Sequence, residues 1–71
     1  MNADLVDKAA TVILHRPLLI NMVSKRVRQL NSGRHPLVDR LPGMGLADVA
    51  LLEIIEGKVV VAENEDELEE V

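Results

Sequence analysis

Residues 46–57 read LADVALLEIIEG, and the reading of this stretch decides the fold. Asp48 suits the first turn of a helix, and Gly57 is a natural left-handed stop. Between them only Asp48, Glu53 and Glu56 are polar. At about 100° per residue these three share one sector, yet Val49 and Leu52 fall inside it. The helix is therefore apolar nearly all round, and such a helix is buried on most sides. Two short companion helices leave part of it uncovered, so some of its surface is expected to belong to a partner. KVVV (58–61) follows as a short extended segment whose free edge favours pairing.

Working outward, two more helices precede this one. The first runs from Asn2 or Ala3 to Leu14, with Asn2 or Asp4 as its cap. Leu5, Val6, Ala9, Val12 and Ile13 recur along it at helical spacing. It ends near His15-Arg16, because Pro17 biases Arg16 away from helical geometry. Pro17 in turn suits the start of the second helix, which runs to about Asn31. Leu18, Leu19, Met22, Val23, Val27 and Leu30 form its apolar stripe. Asn31-Ser32-Gly33 ends it, and Lys25, Arg26 and Arg28 complement the dipole at its C-terminus. The loop 32–45 holds Pro36, Pro42, Gly43 and Gly45 and is expected to be irregular, with Pro36-Leu37-Val38 and Leu41 as its apolar anchors.

Arg26 breaks the pattern of the second helix. It falls between Leu19, Met22, Val23 and Leu30 on the apolar stripe, whereas Lys25 and Arg28 point to the outer face. Two outcomes are open. The stem packs while the head reaches water, or the charge pairs with a carboxylate or carbonyl, internal or on a partner.

Composition narrows the function. The chain has 71 residues, no cysteine and no aromatic residue. Disulfides and thiolate metal sites are excluded, as are the aromatic platforms on which single-strand binders stack bases. A core of Leu, Ile, Val, Met and Ala in so short a chain is only marginally stabilising. The net charge of −4 hides an asymmetry: 63–71, ENEDELEEV, holds six of the twelve acidic residues. Residues 1–62 carry eight basic and six acidic side chains, a net of +2, which argues against bulk electrostatic binding to nucleic acid. Runs of like charge are usually disordered. The expected organisation is thus a helical domain over 1–62 and a disordered acidic tail over 63–71. MNADLVDK is acidic and leads into no long apolar run, so a cytoplasmic location is expected.

Catalytic chemistry is not suggested. Thr11, Ser24 and Ser32 are the only hydroxyls, and none forms a recognisable motif with His15 or His35. GMG (43–45) lacks the spacing of a phosphate loop, and the tail carboxylates lack that of a calcium loop. His15 reads as a helix-terminal cap and His35 as a loop residue. No enzyme activity, cofactor or metal is expected.

The order HRPLLINMVSKRVRQLNSGRHPLV, then VALLEIIEGKV, resembles the omega subunit of bacterial DNA-directed RNA polymerase. The family pattern has a basic [AS]-[KR]-R-[AV]-[RK]-Q-[LM] segment, a Gly, P-L-[VI], and a helix of the type A-L-x-E-I-x-x-G. Here those parts are Ser24–Leu30, Gly33, Pro36–Val38 and Ala50–Gly57. The resemblance covers residues 1 to about 60. It implies an all-α, three-helix domain of the omega type. It also implies a non-catalytic subunit that clamps the largest subunit, beta prime, around its C-terminal region and assists core enzyme assembly and stability. By motif matching, Arg26, Arg28, Leu30, Pro36, Leu37, Val38, Glu53, Ile54 and Gly57 are the partner-binding and structural positions. DNA is met only through the complex. Pro17 stands where the family usually has an aromatic residue. Ala3 and Leu52 stand where some members have arginines that help bind guanosine tetraphosphate, so no such site is expected. The alternative is a small free-standing helical regulator that binds nucleic acid through the basic 25–34 segment, using Lys25, Arg26, Arg28 and Arg34.

Overall fold

The computed structural model describes residues 2–61 and 68–71. Helix α1 spans Ala3–Val12, α2 spans Arg16–Asn31 and α3 spans Leu46–Ile55; strands β1 (Val59–Val61) and β2 (Leu68–Glu70) follow. The Asn2 side chain caps α1 by accepting from the N–H groups of Asp4 and Leu5 at 2.8 and 3.4 Å. The helix stops two residues short of Leu14, because Ile13 turns extended. That frees His15 to cap α2: its Nδ1 accepts from the Leu18 N–H at 3.3 Å, with Pro17 in the first turn.

Helices α2 and α3 end in the same way. The Gly33 N–H donates to Leu30 O and the Arg34 N–H to Gln29 O, at 3.2 and 3.1 Å. In α3 the matching bonds run from Gly57 to Ile54 and from Lys58 to Glu53, at 3.1 and 2.8 Å. Both are Schellman closures. They need a positive φ that only glycine takes without strain, and Gly33 (114°) and Gly57 (70°) supply it. The second closure also aims the chain directly into β1.

Helix α3 packs between α1 and α2, which touch each other little, and β1 lies at its end. This arrangement accounts for a helix that is apolar nearly all round. Val49, Ala50, Leu51, Glu53 and Ile54 are buried, and Leu52 and Ile55 half-buried. Most of the surface expected to need a partner is covered from within. The core gathers Ala9, Leu19, Met22, Val23, Ala50, Leu51, Ile54, Val59 and Leu68. At the far end, the Asn2 N–H donates to Asp48 Oδ1 at 2.7 Å and ties the start of α1 to the first turn of α3.

The expectation of an all-α fold with a disordered tail over 63–71 is corrected at its end. Leu68–Glu70 pairs antiparallel with Val59–Val61, with Val59 opposite Glu70 and Val61 opposite Leu68. The free edge expected for KVVV is filled by the chain itself. Alternation turns Leu68 into the core and Glu69 outward. Burial of Leu68 and two cationic partners for Glu70 offset the like-charge repulsion that the reading by charge alone relied on. Residues 63–67, and with them the expected boundary at 62/63, lie outside the described residues.

Ending the chain after residue 67 exposes the site that Leu68 fills, where burial of a leucine contributes about 1.5–3 kcal/mol. The melting temperature, followed by circular dichroism, is expected to fall by roughly 10 °C. A change within error would show that β2 holds nothing in place.

Candidate functional site

Arg26, on the apolar stripe of α2, meets Glu53, which the sequence put in one polar sector of α3 with Asp48 and Glu56. Neither side chain has any exposed surface. They meet in a two-pronged ion pair: Arg26 Nε donates to Glu53 Oε1 at 2.9 Å and Nη2 to Oε2 at 2.8 Å. Arg26 Nη1 donates to Gln29 Oε1 at 2.9 Å and to Glu70 Oε2 at 3.1 Å. Of the two outcomes open for Arg26, the internal carboxylate is the one realised. The hydrogen bond to Glu53 holds the Arg26 pKa above its ordinary value; burial opposes this and Glu70 adds to it.

The pair also organises the loop between α2 and α3. Glu53 Oε2, besides meeting Arg26, accepts the Leu37 N–H at 2.9 Å. That bond pins Pro36-Leu37-Val38 against α3, with Leu37 packed on the core edge. Further along, Arg40 Nε donates to Met44 O at 2.9 Å and the Met44 N–H to Leu41 O at 3.1 Å. The loop is irregular, as expected, but it is hydrogen-bonded at both ends. Between it and the C-terminal half of α3 lies an open groove of ≈ 520 Å³. Pro36–Asp39 and Leu41 form one wall, and Leu52, Glu56 and Lys58 the other.

The nine positions carried over by motif fall into two groups. Arg26, Leu30, Glu53 and Ile54 are buried. Arg28, Pro36 and Gly57 are exposed, and Leu37 and Val38 half-buried. The loop trio faces the groove, while Arg26 and Glu53 lie beneath it as its support. Sequence reading did not find Gln29 or Glu70 as partners of Arg26, nor Leu41, Leu52 and Lys58 as groove walls. For Glu70 a signal existed: KVVV needed an edge partner, and alternation in Leu68-Glu69-Glu70 offers one. Arg34 is also drawn in, its Nη1 lying 3.6 Å from Glu70 Oε2. Among the described residues, no group of three or more His, Asp or Glu side chains is placed to hold a metal ion, and no helix is long and apolar enough to cross a membrane.

Removing one partner of a buried ion pair costs about 3–5 kcal/mol, comparable with the whole stability of a domain this small. Glu53→Ala is therefore expected to leave the protein largely unfolded in mild urea. The double variant Arg26→Met/Glu53→Leu should recover part of that loss, since no charge is then left buried alone. A double variant no more stable than Glu53→Ala would contradict this account.

The chain is 41% identical over 64 residues to the DNA-directed RNA polymerase subunit omega of Nautilia profundicola, covering 89% of the chain and 91% of that protein. It is 42% identical over 52 residues to the subunit of the same name from Helicobacter hepaticus, covering 72% of the chain and 70% of that protein. No family model matches it, and no solved structure does. Identity at this level, spread over nearly the full length of both partners in the first comparison, identifies the family: the chain belongs to the omega subunits of DNA-directed RNA polymerase.

Proposed function

We propose that the chain is a non-catalytic subunit of a bacterial RNA polymerase, which clamps beta prime and promotes assembly and stability of the core enzyme. The observation that carries this reading is the similarity to omega subunits, 41% identity over nearly the whole of both chains in one comparison. The geometry supports it with a surface suited to protein rather than to small-molecule chemistry. A hydrogen-bonded loop presents Pro36, Leu37 and Val38 beside an open groove with apolar and charged walls. Preorganised loops lose little entropy on binding, which favours a stable complex.

In this reading Arg28, Pro36, Leu37, Val38 and Gly57 touch the partner. Arg26, Leu30, Glu53 and Ile54 act from beneath by fixing the elements that carry them. The subunit works in the cytoplasm, at the nucleoid, and meets DNA only through the complex. The alternative, direct binding of nucleic acid through 25–34, loses support because Arg26 is fully buried and Arg34 faces Glu70.

Affinity purification of the full chain from its own cells should retain beta prime in stoichiometric amount, and the complex should survive nuclease and high salt. Salt-labile capture of nucleic acid without beta prime would overturn the proposal. Val38→Asp, at a half-buried groove position, is expected to lower retention of beta prime at least tenfold, or about 1.4 kcal/mol. Its melting temperature should change little.

A further inference from the structure

The hydrogen bonds from β2 to the 36–38 loop form one continuous series across three elements. Glu70 Oε2 accepts from Arg26 Nη1 at 3.1 Å. Arg26 grips Glu53 through Nε and Nη2 at 2.9 and 2.8 Å. Glu53 Oε2 takes both that Nη2 and the Leu37 N–H at 2.9 Å. The oxygen that holds the loop is thus the one whose position depends on how Arg26 sits.

The links are unequal. Arg26 and Glu53 have no exposed surface, whereas the Glu70 side chain is 36% exposed. Glu70 sits on a three-residue strand that pairs with one neighbour, a short element that opens at low cost. Beyond Glu70, that strand is held by burial of Leu68, by its pairing with β1 and by the Val71 N–H on Lys58 O at 2.8 Å. When it lifts, Nη1 keeps only Gln29 among the described residues. The guanidinium is then free to tilt toward Gln29, which moves Nη2 off Glu53 Oε2 and loosens the bond to Leu37.

We propose that β2 is a strap that locks the 36–38 loop through Glu70, Arg26 and Glu53, so that docking or release of β2 sets the rigidity of the loop. The coupling stands on the hydrogen bonds alone; its consequence for partner capture rests on the function proposed above.

The test is amide hydrogen exchange, followed residue by residue in the full chain. Glu70→Ala removes the link to Arg26, and Leu68→Ala releases the strap from its apolar end with Glu70 and Arg26 both present. Both are expected to speed exchange at Leu37 by about tenfold, as loss of a charged hydrogen bond allows. Amides of α1, including buried Ala9, report any loss of global stability, and Leu37 should speed up beyond them in both variants. Glu69→Ala, on the outward face of the same strand, should leave Leu37 unchanged. Unchanged Leu37 exchange in Glu70→Ala would overturn the proposal, and so would equal acceleration of every amide. A response to Glu70→Ala with none to Leu68→Ala would also overturn it, by reducing the strap to one side chain. If both variants loosen Leu37 while retention of beta prime stays at its original level, the coupling stands and the partner role of the loop fails.

Discussion

The fold turns on a guanidinium with no access to water. Arg26 is among the largest fully buried side chains of the domain, and it is charged. Its desolvation is tolerated because Nε, Nη1 and Nη2 all find acceptors on Glu53, Gln29 and Glu70. Among the described residues, no buried side-chain nitrogen or oxygen lacks a partner. Buried ion pairs of this kind often add little net stability, because desolvation cancels the Coulombic gain. What this one adds is definition. Residues 27 and 44 positions apart in the chain meet at one side chain, so that α2, α3, the 36–38 loop and β2 have a single mutual register. A purely apolar core would tolerate small slides between α2 and α3; a two-pronged pair does not.

The absence of aromatic residues makes that role more important. With no Phe, Tyr or Trp to fill volume, the largest fully buried side chains are Arg26, Met22, Leu51, Ile54, Glu53 and Val49. Aliphatic side chains of similar size repack readily and give collapse without uniqueness. Directional hydrogen bonds supply the selectivity that shape alone would not. The cost is sensitivity, since loss of either charge leaves the other stranded in a low-dielectric interior.

Much of this was legible in the chain. The three helices followed from apolar spacing, Pro17 and the two glycines, with ends shifted by a residue or two. Arg26 was marked by its phase on the stripe of α2, and the extent of apolar surface on α3 marked it as central. Two things were not legible, for different reasons. Whether that surface is covered from within or by a partner depends on how three helices and a strand meet, which periodicity does not carry. The Leu68–Glu70 strand left a signal in its alternation, but the pairing of Glu70 with Arg26 spans 44 positions, and reading a run of like charges considers only its own repulsion. Nor did the family motif separate support from surface. Glu53 and Pro36 belong to the same pattern, yet one is buried and the other exposed.

Charge, placed on this structure, argues against the basic segment as a nucleic-acid patch. Electrostatic binding to nucleic acid depends on several cations presented together to phosphates. Arg26 is buried in a pair with Glu53, and Arg34 faces the carboxylate of Glu70. Arg28 is exposed. Glu70 is thus a counter-charge to the end of α2. The same Glu70 that lies 3.6 Å from Arg34 also steadies the base on which the 36–38 loop rests. A segment that looks cationic in the sequence is, in the fold, the place where the chain's own carboxylates converge.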